Sequence, residues 1–194
     1  MMDSAAARAL TALREGNERF ASAHPTHPRS DAARRAEVRS GQHPFAAVIS
    51  CSDSRVPPEI VFDQGIGDLF VVRTAGNVLD DVGLASIEYA VEHLGVALVV
   101  VLGHGGCGAV RAAAAGGEAP GHLGRIVEAL APSVARARRA GGDIVEAAVR
   151  ENVRSTASDL RGSEPILRPL VEGGRVSVVG AYYSMEHGTV ELID

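Results

Sequence analysis

Four short runs limit what this chain can fold into. Phe45 to Ser50, Leu69 to Val72, Ala97 to Gly103 and Arg175 to Ala181 are rich in valine and isoleucine and do not alternate between apolar and polar residues. A strand with one wet face alternates with period two, so unbroken apolar runs are expected for strands covered on both faces of a parallel sheet. Helical patterning lies between the runs. Together these features predict an α/β fold, with a mostly parallel central sheet flanked by helices.

The chain opens with a predicted N-terminal helical arm. Ser4 is placed to cap a helix reaching Phe20, with Ala6, Leu10, Leu13 and Phe20 on one stripe. We expect that stripe to pack on a second subunit. Pro25, Pro28 and the polar run Asp31 to Arg39 predict a loop followed by a short exposed helix. Asp81 is placed to cap a helix through Leu94, in which Val82, Leu84, Ile87, Val91 and Leu94 leave little polar surface; this predicts a well-buried helix stopped by Gly95. Two more helices are expected at Leu123 to Arg139 and Asp143 to Leu160. Pro132 should kink or interrupt the first, and Asp143 with Glu146 has the spacing of a capping box at the start of the second. Without a repeat or a convincing linker, residues 1–194 read as a single domain, with 1–41 as arm and connection and 42–194 as the α/β core.

Composition narrows the function. A net charge of −5 over 194 residues argues against a dedicated nucleic-acid binder. The run Val96 to Leu102 is too short to cross a bilayer. Arg8, Arg14, Glu15, Glu18 and Arg19 interrupt the first twenty residues, so no secretory signal is expected and the location is read as cytoplasmic, with neither membrane nor nucleic acid as partner. Four Phe, three Tyr and no Trp leave the core to Ala, Val, Leu and Gly, a deficit of large apolar area that self-association could offset.

In α/β sheets, ligands bind beyond the carboxyl ends of the strands. Two such ends carry loaded residues: Cys51-Ser52-Asp53-Ser54-Arg55 and Gly103-His104-Gly105-Gly106-Cys107-Gly108. Alternate residues of an extended segment share a side, so Cys51, Asp53 and Arg55 can project together. His104 and Cys107, three apart at a glycine-rich turn into a helix, can meet on one ion. Two thiolates, an imidazole and a carboxylate form a tetrahedral set suited to zinc. Other readings stand beside it: buried thiols packing as small apolar groups, a Cys51 to Cys107 disulfide, or a closed and purely structural zinc. Arg55 favours chemistry. A guanidinium two residues from Asp53 can take that carboxylate in a bidentate pair, freeing a zinc position for water whose pKa then falls to about 7.

At these positions the sequence resembles the β-class carbonic anhydrases. The resemblance is carried by Cys51-Ser52-Asp53-Ser54-Arg55-Val56, by the run Asp63-Gln64-Gly65-Ile66-Gly67-Asp68-Leu69-Phe70-Val71-Val72-Arg73-Thr74-Ala75-Gly76-Asn77, by Ser86-Ile87-Glu88-Tyr89-Ala90-Val91, and by Gly103-His104-Gly105-Gly106-Cys107-Gly108-Ala109-Val110. It extends from Glu15-Gly16-Asn17-Glu18-Arg19-Phe20 to a hairpin-like stretch from Gly180 to Ile193. It implies reversible hydration of carbon dioxide to bicarbonate and a proton through a zinc-bound hydroxide, with one Zn²⁺ per chain. Cys51, His104 and Cys107 are the implied ligands, and Asp53 is either the fourth ligand or the partner of Arg55, these two being the implied catalytic pair. Gln42, Phe70, Ala75 and Tyr89 are implied to line the substrate pocket, with a Gly108 backbone N–H beside it. The resemblance further implies a pocket completed across a subunit interface, so a homodimer or homotetramer is expected. From sequence alone, Phe70 and Tyr89 read as core residues and Gln42 as a solvated loop residue.

The same site could instead hydrolyse carbonyl sulfide or carbon disulfide, or serve a non-catalytic bicarbonate sensor. Val48 stands where some bacterial members of the family have a Trp that builds a regulatory bicarbonate site, so regulation by that route is not expected. The remaining histidines, at 24, 27, 43, 93, 122 and 187, have no evident ligand partners.

Overall fold

The computed structural model describes residues 4–117 and 119–193. The four apolar runs become β1 (Ala46–Cys51), β2 (Leu69–Thr74), β3 (Leu98–His104) and β4 (Ser177–Tyr183), joined by β5 (Val190–Ile193). The sheet order is β2-β1-β3-β4-β5, with β1 to β4 parallel and β5 returning antiparallel beside β4. Residues of the central strands divide by parity. Ala47, Ile49, Val99 and Val101 enter the core on one face, while Ala46, Val48, Leu98, Val100 and Leu102 enter the core on the other. This is the period of two expected of strands covered on both faces. β2 departs from the expectation: it lies at the sheet edge and its residues are mostly half-buried. Apolar content does not distinguish a central strand from an edge strand.

One face is covered by α1 (Ala5–Ala21) and α3 (Pro58–Val61), the other by α4 (Asp81–Leu94), α7 (Ile144–Gly162) and α8 (Leu167–Glu172). Ser4 caps α1 by accepting the Ala7 N–H, as expected. Of the stripe expected to dock on a second subunit, Ala6 and Leu13 are instead buried with Val48 and Val100 of the chain's own sheet, and Leu10 and Phe20 pack partly buried against the same cluster. Buried Asn17 fixes this placement, donating to the carbonyls of Val61 (3.1 Å) and Gly188 (2.9 Å) and accepting from the Val190 N–H (2.7 Å). An apolar stripe fits any apolar face; those three polar bonds select this one.

The short helix α2 (Ala32–Glu37), capped by Asp31, is exposed as expected. The N-cap of α4 is Asp80, one residue before the expected Asp81, and Gly95 ends the helix at φ +70°. α4 is also less buried than its composition implied. Gly83, Ile87, Ala90 and Val91 face the core, while Val82 and Tyr89 are 74% and 47% exposed. Pro132 does not interrupt α6 (Leu123–Ala140). Pro132 and Glu128, whose carbonyl the proline leaves without an N–H, are both exposed, so water can satisfy that carbonyl.

α5 (Gly108–Ala115), α6 and α7 form a third apolar cluster around Cys51 and Cys107, at the carboxyl ends of β1 and β3. α7 approaches the sheet closely because Gly103 has no side chain. A Cβ there would lie 2.5 Å from Val153 Cγ2 and 3.1 Å from Val149 Cγ1. The helix that borders the loops after β1 and β3 is therefore set directly against the strand that leads into one of them.

Candidate metal centre

β1 ends on Cys51 and β3 on His104, and the two strands are neighbours in the sheet. The turn from β3 into α5 returns Cys107 to the same point. Ligand atoms of Cys51, His104 and Cys107 all lie within 4.8 Å of one another, and all three residues are buried. The sulfurs are 3.9 Å apart and both thiols are free, so the disulfide reading falls. Two thiolates bound at about 2.3 Å on a tetrahedral zinc would be separated by about 3.8 Å.

His104 supplies the most direct test of fit. Its Nδ1 lies 3.0 Å from the Gly105 carbonyl, which can only accept, so the proton is on Nδ1 and Nε2 presents a lone pair. That Nε2 is buried and has no hydrogen-bond partner. A buried acceptor left without a donor is costly, and an ion among the three side chains would satisfy it. The residues present fit a zinc ion.

The thiols are electrostatically unequal. The hydrogen bond shared with Cys107 is the largest influence lowering the Cys51 thiol; burial opposes it, while the N–H groups of Asp53 (3.4 Å) and Gly76 (3.2 Å) assist. Cys107 is pushed up by the same shared hydrogen bond and by burial. Two backbone N–H groups aimed at its sulfur suit Cys51 to negative charge.

Asp53 stands outside the trio and is turned to Arg55. It accepts from Arg55 Nε (2.9 Å), Nη2 (2.7 Å) and the Arg55 backbone N–H (3.0 Å). These bonds, the guanidinium first, hold its carboxyl well below the usual carboxylate range. Its Oδ2 is 3.9 Å from His104 Nε2, at the margin of the trio. Of the two states expected for Asp53, the arrangement is the one paired with Arg55.

The expected lining residues divide into two groups. Ala75 precedes Gly76 in the turn after β2, and Gly108 follows Cys107 as the first residue of α5, so both adjoin the trio through the chain. Gln42, Phe70 and Tyr89 are not brought to it within this chain. Thr74 pairs with Cys51, and Phe70 lies four residues earlier on β2, about 13 Å along the strand. Gln42 is exposed ahead of β1, and the Tyr89 ring packs on Phe70 at 6.3 Å between centroids. The other six histidines are all exposed.

Three residues support the site in ways the sequence did not indicate. Arg73 donates to the carbonyls of Cys51 (3.0 Å) and Asp53 (2.7 Å), fixing the first loop. Buried Asn152 of α7 donates to the Gly76 carbonyl (2.9 Å), and the Gly76 N–H points at Cys51. Glu146 of α7 accepts from the Gly106 N–H (2.8 Å) in the second loop.

Comparison with known proteins adds an independent line. A family model described as carbonic anhydrase matches residues 46–190. Carbonic anhydrase 2 of Mycobacterium tuberculosis is 46% identical over 190 residues, covering 96% of this chain and 92% of that protein. The carbonic anhydrase of Mycolicibacterium smegmatis is 43% identical, covering 99% and 95%. Among solved structures, a tetrameric beta-carbonic anhydrase from Sordaria macrospora matches with a TM-score of 0.77 at 27% identity, covering 96% of this chain and 95% of that one.

Proposed function

The chain belongs to the β-carbonic anhydrase family and is a carbonate dehydratase, and from that premise we propose that it hydrates carbon dioxide at a zinc centre held by Cys51, His104 and Cys107. The observation that carries the zinc assignment is the buried, unpartnered Nε2 of His104 beside two thiols. The chemistry supplied by bound zinc is Lewis acidity, which makes water a nucleophile near neutral pH.

The protein's own residues do the rest. Arg55 holds Asp53 off the trio, so that Cys51, His104 and Cys107 would hold the ion and Asp53 would not compete with water for it. Asp53, kept ionised by that clamp, would accept a hydrogen bond from the nucleophile and so orient its lone pair toward carbon dioxide. Asp53 is therefore assigned as a catalytic residue and Arg55 as its partner, with Asp53 able to become the fourth ligand when released. Ala75 and the Gly108 N–H border the substrate space.

Gln42, Phe70 and Tyr89 line the pocket from a second subunit. Their distance from the trio within one chain supports this, as do the outward-facing Tyr89 and Val82 and the tetrameric Sordaria macrospora relative. The assembly is a homodimer or homotetramer of chains that each act as one unit, with residues 42–194 as the zinc-binding core and 1–41 as its arm. A cytoplasmic location belongs to the same proposal. No helix among the described residues is long and apolar enough to cross a membrane.

Metal analysis with stopped-flow hydration kinetics tests the proposal. The expected result is one zinc per chain and rapid hydration of carbon dioxide. Cys107→Ser should lose zinc. Arg55→Ala should keep zinc yet lose activity on the order of 100-fold, because Asp53 is no longer held for its role. Zinc-loaded wild-type protein without hydration activity, or an active Arg55→Ala, would overturn the mechanism.

A further inference from the structure

Asp143 and Glu146 have capping-box spacing, and half of the box forms. Asp143 Oδ1 accepts from the N–H groups of Val145 (3.0 Å) and Glu146 (3.1 Å). The reciprocal bond, from the Asp143 N–H to the Glu146 carboxylate, is not made among the described residues. Glu146 turns away from its own helix instead. Oε1 accepts from the Gly106 N–H at 2.8 Å and Oε2 accepts from the Tyr182 hydroxyl.

The peptide group that Glu146 engages is the one His104 uses. The Gly106 N–H and the Gly105 carbonyl belong to a single peptide unit; the N–H faces Glu146 and the carbonyl accepts from His104 Nδ1 at 3.0 Å. A carboxylate on the N–H side makes the amide more dipolar and its carbonyl a stronger acceptor, as in any hydrogen-bonded chain. Metal-bound histidines generally donate their other N–H to a carboxylate or a carbonyl, which fixes the tautomer and raises ligand basicity. Here both partners are present, in series.

We propose that Glu146 is a positioning residue for the metal centre, acting on His104 through the Gly105–Gly106 peptide so that Nε2 is held as a strong, correctly oriented ligand. The inference rests on the zinc reading above and extends it to a residue outside the ligand set.

The surroundings of Glu146 serve that role. Burial and the hydrogen bond to Glu146 push the Tyr182 phenol up to about 12, so it remains a donor across the neutral range. Arg150 stacks over the Tyr182 ring at 4.0 Å and pairs with Glu191. Gly105 leaves space for this arrangement, since a Cβ there would lie 2.7 Å from the Tyr182 oxygen.

The test compares wild type, Glu146→Ala and Glu146→Gln for zinc affinity, by chelator competition, and for the proton resonance of His104 Nδ1–H in the zinc-loaded protein. Glu146→Ala should weaken zinc binding on the order of 10-fold and move the Nδ1–H resonance upfield. Glu146→Gln keeps an acceptor for Gly106 but no charge, so it should recover most of the affinity with a smaller upfield shift. Wild-type affinity and an unmoved resonance in Glu146→Ala would overturn the proposal. Should that variant not fold, an unmoved resonance in Glu146→Gln overturns it equally. A wild-type chain that takes up no zinc would instead defeat the proposed function itself, so the two failures are distinguishable.

Discussion

Asp63 sits in a left-handed turn (φ +46°) just after α3 and gathers four donors: Arg19 Nε at 2.6 Å, the Thr26 N–H at 3.0 Å, the Thr26 hydroxyl at 3.1 Å and the His27 N–H at 2.8 Å. One carboxylate thereby ties α1 and the following loop to the core. Burial alone would raise its pKa, but the N–H groups, Arg19 and the Thr26 hydroxyl outweigh burial and bring it down to about 2. A carboxyl depressed on folding adds stability above its ordinary pKa near 4, and that stability is lost as pH falls toward about 2. Asp63→Asn should cost on the order of 2 kcal/mol at neutral pH. Denaturant titrations should show its stability changing less than wild type between about pH 4 and pH 2; parallel curves would contradict the assignment. At this scale the sequence was legible where residue type alone is informative. Cys51, His104, Cys107, Asp53 and Arg55 stood out as scarce ligand types and a charge pair at strand ends. Arg73, Asn152 and Glu146 did not, because their partners are main-chain atoms 22, 76 and 40 residues away, and no local pattern encodes a backbone carbonyl or N–H brought near by the fold.

α7 is the element on which the site depends. It sends Asn152 to the turn that faces Cys51 and Glu146 to the loop that joins His104 to Cys107, while Val153 lies against Gly103. Gly103→Ala forces the helix outward at a β-branched contact and should cost about 1 to 3 kcal/mol. It should also weaken zinc binding, since both loop contacts ride on the displaced helix. Adding Val153→Ala should recover part of each loss, measured by denaturation and chelator competition as a double-mutant cycle; strict additivity would show that the two positions do not oppose one another. The strands themselves were readable because apolar runs without alternation have few other uses. The edge position of β2, the outward faces of α4 and the seating of α1 were not, since each depends on which surfaces meet, and apolar content alone leaves that open.

The whole molecule has its proposed metal ligands at the carboxyl ends of β1 and β3 and three expected pocket residues toward the other end of β2 or beyond it. If subunits supply these groups to one another, two inactive variants should complement. Mixing Cys107→Ser with Gln42→Ala, after dissociation and reassembly, should return roughly a quarter of wild-type sites, the statistical share of mixed dimers with one intact site each. A mixture as inactive as its parents would mean that each chain completes its own pocket. The placement of the ligands also has a consequence in time. Cys51 and Cys107 are 56 residues apart, and the chain between them makes β2, α4 and β3 before it returns. α7, which pins both loops, follows later still, at Ile144–Gly162. A chain emerging from the ribosome amino end first would present Cys51 long before its partners exist. If the trio holds zinc as proposed, metal loading is one of the last events in the making of this protein, and an ion offered early meets a single thiol.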